Sequence, residues 1–188
     1  MAPKKAHKKA AKKAPKKGPK HHEEHGGRDL RRAYEHLGRL HALQGLLASE
    51  VAGQVKGLTG LAESRLQADD AKSAADLLRA GEHLAFGSLA SASPAKGLSE
   101  ELEAALHTEV HHLTVKAVDH WARHEELRPE VLVSVYEKMV AAAKTAFEKR
   151  AYRRALEFAR GADALAHVRW ESAGRLEAGG SAMPLRLK

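Results

Sequence analysis

The chain has 188 residues, 43% of them hydrophobic, and a formal net charge of +8, which suits one domain with room for a core. It has no Cys, which excludes disulfide scaffolds, Cys-ligated zinc, iron–sulfur clusters and thiol nucleophiles. No apolar run approaches the roughly 20 residues of a membrane span, and the positive start lacks the apolar stretch of a secretory signal. A cytoplasmic location is the expectation.

The charge is unevenly placed. Residues 1–20 hold nine lysines and no acid, so the remaining residues sum to −1. Lysine pairs recur every four residues through KKAH, KKAA, KKAP and KKGP. With no large apolar side chains to offset the entropy of ordering, a disordered tail is expected over residues 1–27. Mobile cations displace condensed counterions from DNA or RNA phosphates without reading sequence. Lys4, Lys5, Lys8, Lys9, Lys12, Lys13, Lys16, Lys17 and Lys20 are therefore the candidate nucleic-acid-binding residues. No aromatic side chain interleaves them, so base stacking is not offered. The competing readings are a merely solvated charge run and an anionic membrane surface, for which no apolar anchor is present.

Fourteen β-branched residues are too few for an ordinary sheet, whereas Ala, Leu, Glu and Arg favour helix. The body is expected to be all-α, about six helices in a bundle or short solenoid. From Asp29, read as an N-cap, Leu30, Ala33, Leu37, Leu40, Leu43 and Leu47 recur every three or four residues. A second helix over 50–67 carries Val51, Val55, Leu58, Ala62 and Leu66 on one stripe. Its Gly53, Gly57 and Gly60 either admit a neighbouring helix or loosen this one. Asp69 or Asp70 caps a third helix to about Leu89. The loop over 91–97 precedes a fourth helix from Ser99 to about Glu125, acidic in its first turn. Pro129 opens a fifth over 129–148, and a sixth covers 151–176. Trp121, Trp170, Tyr34, Tyr136, Tyr152, Phe86, Phe147 and Phe158 fall at apolar helical positions and are expected in the core. The domains read as a tail over 1–27, a helical body over 28–177 and a frayed end over 178–188.

At an offset of 81 residues, Ala74-Ala75-Asp76-Leu77-Leu78-Arg79 aligns with Ala155-Leu156-Glu157-Phe158-Ala159-Arg160. Leu58, Ala62 and Leu66 meet Met139, Ala143 and Phe147. This predicts a duplication of residues 50–90 in 131–171, two hairpins joined by the fourth helix. Each hairpin resembles a tetratricopeptide repeat, through Leu58, Leu61, Ala62, Ala74, Leu78 and Gly81 in the first and Met139, Ala143, Tyr152, Ala155, Ala159 and Ala162 in the second. The resemblance implies close antiparallel packing within each pair. The large aromatic of the first helix is absent, Phe86 and His167 replace the closing proline, and the units are not in tandem, so no regular peptide-binding groove is expected. The tail resembles the lysine-rich tails of linker histones and bacterial histone-like proteins in its Lys-Lys-Ala and Ala-Pro-Lys-Lys steps, which implies nonspecific DNA contact and nucleoid association. The absence of Ile and Asn suggests a GC-rich, bacterial genome.

The fourth helix carries His107/His111 and His120/His124 at i,i+4, a spacing that sets two imidazoles on one face and makes these the candidate metal ligands. Glu109-x-x-His112 has the carboxylate-bundle spacing but no second such motif to face it. Thirteen histidines produce such pairs by chance, so surface or half-buried histidines are the competing reading and no metal or other cofactor is expected. Arg31/His36 and Arg160/His167 fit the Arg-x4–6-His spacing of HEPN-type ribonucleases, which chance also supplies here. No nucleophile elbow or Gly-rich phosphate loop is present. The sequence points to a non-enzymatic helical scaffold held on nucleic acid by its tail, its body serving self-association or a protein partner. The alternative is a His-rich metal-binding bundle or a HEPN-like ribonuclease.

Overall fold

The computed structural model describes residues 20–123 and 128–170. All regular structure among them is helical, as expected: α1 (Lys20–Leu43), a 3₁₀ turn (Gln44–Leu46), α2 (Ser49–Gln67), α3 (Ala71–Leu89), α4 (Glu100–Ala122), α5 (Glu130–Glu148) and α6 (Tyr152–Ala166). Ser99 caps α4 by accepting from the Leu102 N–H at 3.3 Å. Of the two candidates at α3, Asp70 is the cap, accepting from the Ser73 N–H at 3.0 Å.

Several boundaries differ from the sequence expectation. Residues 20–27, read as tail, form the first turns of α1. Asp29 thus lies inside a helix whose N–H groups are already bonded, so it has none to cap. Its carboxylate lies 3.6 Å from Arg32 instead. Gly26 and Gly27 are carried within α1 with no neighbour near a would-be Cβ. Pro129 is the N-cap of α5 rather than its first helical residue, because its ψ of 144° is extended. α6 stops at Ala166 and residues 168–170 have no regular structure; the rest of the expected sixth helix lies outside the described residues.

The helices form two three-helix units. α1 and α2 pack on α3, α4 and α5 pack on α6, and α3 packs on α6. α4 therefore stands to α6 as α1 stands to α3, rather than serving as a connector between hairpins. The two corners close with the same backbone bonds at an offset of 81. Asp69 and Arg150 are the only non-glycine residues with positive φ among the described residues, at 57° and 56°. The Asp70 N–H bonds the Arg65 carbonyl at 2.9 Å and the Ala151 N–H the Ala146 carbonyl at 2.9 Å. Asp69 bonds Leu66, and Arg150 bonds Phe147, in the same way. Each is a Schellman closure with a non-glycine residue in the left-handed position.

α3 and α6 run antiparallel. The start of α6 meets the end of α3, with Arg154 donating to the Ala90 carbonyl at 3.0 Å and Glu157 pairing with His83 at 2.8 Å. A Cβ at Gly161 of α6 would lie 3.3 Å from the His83 Cβ of α3, and one at Gly87 of α3 2.8 Å from the Phe158 ring of α6, so close axial approach rests on these glycines. Below, α2 meets α5: a Cβ at Gly57 would lie 3.3 Å from Val131, and Glu50 pairs with Lys138 at 2.9 Å. Positions 57 and 138 are equivalent, as are 50 and 131, so these are one contact seen from either unit and the units are related by an approximate two-fold.

Of the three glycines of α2, only Gly57 has a neighbour near a would-be Cβ; Gly53 and Gly60 have none within 4 Å. Gly60→Ala is accordingly expected to stabilise the protein by about 1 kcal/mol through helix propensity. A thermal melt should rise by roughly 2–4 °C.

The core is continuous across both units and includes the fully buried Leu58, Leu77, Leu132, Met139 and Leu165. Where Leu40 and Val55 fill the first unit, the equivalent Trp121 and Tyr136 stack at 3.7 Å between centroids in the second. The Arg128 guanidinium covers Trp121 at 3.6 Å. Tyr34 and Phe86 depart from the expected core, at 60% and 36% exposure, because they sit on outward faces. Trp170 lies beyond α6, under the Arg65 guanidinium at 3.9 Å.

Candidate functional site

Lys4, Lys5, Lys8, Lys9, Lys12, Lys13, Lys16 and Lys17 lie outside the described residues, and Lys20 is the first residue of α1. No geometry is therefore assigned to the tail.

The candidate metal ligands do not converge. His107 packs its ring on Phe147 at 4.5 Å, His111 is exposed, and His124 lies outside the described residues. His120 stacks on His167, the C-cap of α6, centroids 4.5 Å apart and rings 24° from parallel. Imidazole lone pairs lie in the ring plane, so stacked rings do not aim at one ion. Among the described residues, no group of three or more His, Asp or Glu side chains gathers where a metal could sit. Desolvation, His167 and Arg123 together hold the His120 imidazole below its ordinary pKa.

The ribonuclease-type pairs are also divided. Arg31 lies 3.6 Å from exposed Glu35, whereas His36 pairs with Glu82 of α3. His167 bonds the Asp163 carbonyl at 2.7 Å, closing the end of α6, while Arg160 acts on Glu157.

What the structure does bring together is a set of buried carboxylates that fasten helices. Glu82 accepts from Arg39 at 2.8 Å and pairs with His36, tying α1 to α3. At the equivalent position, Asp163 lies 3.2 Å from Lys116, an ion pair without hydrogen-bond alignment that ties α4 to α6. His83 holds the Glu157 carboxyl below its ordinary pKa, against the opposing effect of burial. A carboxyl lowered on folding contributes stability above its unfolded pKa and loses it as pH falls through the folded one. Glu157→Gln should therefore unfold less steeply than the wild type as pH is lowered through the carboxylate range, read by circular dichroism.

Two of the concave surfaces stand out by the chemistry of their lining, one apolar and one cationic. A groove of about 330 Å³ between α4 and α5 is lined by Val110, Val115, Val118 and Phe147, with His111 and Lys144 among its polar residues. A cleft of about 310 Å³ between α1 and α3 is lined by Arg28, Arg32, Lys72 and Arg79, with Asp29 and Asp76. Asp76 faces Lys72 at 3.3 Å, and burial nevertheless pushes its carboxyl above the ordinary range. Four cations against two carboxylates leave the cleft with an excess of positive charge. Sequence reasoning did not assemble this set. Its signal is the spacing of four between Arg28 and Arg32 and of seven between Lys72 and Arg79, each of which places two cations on one helix face.

Comparison with protein-family models, with curated proteins and with solved structures gives no match for this chain.

Proposed function

We propose that this protein is a non-enzymatic helical scaffold tethered to nucleic acid by its lysine-rich tail. The charge partition carries the reading: nine lysines and no acid in the first 20 residues, against a sum of −1 for the rest. Such a tail contacts phosphates at any sequence, and the near-neutral body is left free to hold a partner. The apolar groove between α4 and α5, with Val115 and Val118 each 44% exposed, supports a protein-contact role for that body. No helix among the described residues is long and apolar enough to cross a membrane. The bacterial nucleoid is the proposed setting.

Sufficiency of the tail is tested with a synthetic peptide of residues 1–20 titrated into labelled duplex DNA across a salt series. Nine engaged lysines give a log–log slope of about −8. A peptide that fails to bind at low salt overturns the proposal.

A further inference from the structure

We infer that the cleft between α1 and α3 is a phosphate-binding site on the folded body, one that receives the backbone of the nucleic acid recruited by the tail; it rests on the tethering reading above. Arg28, Arg32, Lys72 and Arg79 line one concavity together with Asp29 and Asp76. The carboxylates orient the cations without cancelling them: Asp29 lies 3.6 Å from Arg32 and only 4.0 Å from Arg28, and Asp76 lies 3.3 Å from Lys72. Arg28 and Arg32 keep about half of their side-chain surface exposed, at 52% and 53%, so their guanidinium groups remain open to a ligand. Three of the four cations are arginines, whose planar fork of donors matches phosphate oxygens.

The second unit supplies an internal comparison. At the 81-residue offset, Arg28, Arg32, Lys72 and Arg79 correspond to Glu109, Leu113, Arg153 and Arg160, and Asp29 and Asp76 to Val110 and Glu157. Two cations against two carboxylates give no excess there. The positive excess is thus a property of these residues and not of the fold that places them. Its position also suits the purpose. α1 starts at Lys20, and at a rise of 1.5 Å per residue Arg28 follows about 12 Å further along the same helix. A strand held by the tail lies within reach of the cleft, and contact with base edges is not required of it.

The test uses the full chain and a short labelled duplex, with binding measured across a salt series for three variants. The first, Arg28→Gln/Arg32→Gln/Arg79→Gln, is expected to make the log–log slope shallower by about 2–3, close to 1 per lost phosphate contact. The second, Arg153→Gln/Arg160→Gln, removes cations from the equivalent place in the other unit and is expected to leave the slope unchanged. The third replaces the eight lysines of residues 4–17 by Gln and should retain a residual slope of about −2 to −3. An unchanged slope in the triple variant, with binding lost in the eight-lysine variant, overturns the cleft site and leaves the tether standing. A slope change in the second variant as large as in the first also overturns it, since charge alone would then suffice. Failure of the unmodified chain to bind at low salt overturns both readings. Should the triple variant not fold, Arg79→Gln alone, at an exposed position, is expected to cost about 1 in slope, and no change in it overturns the site.

Discussion

Phe158→Ala is expected to lower the unfolding free energy by about 3–5 kcal/mol. The ring is buried on α6, and it lies against α3 where a Cβ at Gly87 would come within 2.8 Å of it. The contact exists only because position 87 has no side chain. Gly87→Ala alone is therefore expected to cost about 1–3 kcal/mol by overpacking. In the Phe158→Ala background the same change meets no ring, and up to about 1 kcal/mol of helix propensity is gained instead. The two substitutions should thus be strongly non-additive in a double-mutant cycle followed by urea unfolding. Additivity would mean that the ring does not rest on Gly87 and that the α3–α6 interface is packed differently.

Replacing the eight lysines at positions 4, 5, 8, 9, 12, 13, 16 and 17 by Gln is expected to weaken duplex binding at low salt by at least about 10³-fold. A protein making this many phosphate contacts draws nearly all of its nonspecific affinity from counterion release, and uncharged side chains release none. The thermal midpoint of the body is expected to stay where it is, which separates lost binding from lost fold.

Much of the helical body was legible in the sequence because its core residues are periodic and its starts are marked. Leu58 and Ala62, Leu77 and Leu84, Met139 and Ala143 keep helical spacing, and Asp70 and Ser99 cap where short polar residues do. Other features leave no comparable mark. The left-handed corner residues are Asp69 and Arg150, and neither is the glycine that would signal such a turn. Residues 20–27 read as tail, yet α1 runs through them, Gly26 and Gly27 included. Equivalence of α1 and α4 is hidden because the shared positions differ in kind: Leu40 answers to Trp121, Tyr34 to Val115, Glu35 to Lys116 and Arg39 to His120. The site divides in the same way. A local run such as the lysine tail is visible at once, whereas the cleft joins residues 28 and 32 to 72 and 79 and exists only after α1 packs on α3. Helical spacing pairs His120 with His124, but tertiary packing gives it His167.

The central claim is that this is a near-neutral body carrying a tail that binds phosphates, and the salt dependence of duplex binding by the full chain, beside its eight-lysine variant, tests it most directly. A log–log slope of about −8 or steeper for the unmodified chain, falling to about −2 to −3 when the lysines of residues 4–17 are neutralised, is the predicted result. A shallow slope for the unmodified chain, or a steep one that survives neutralisation, would contradict it.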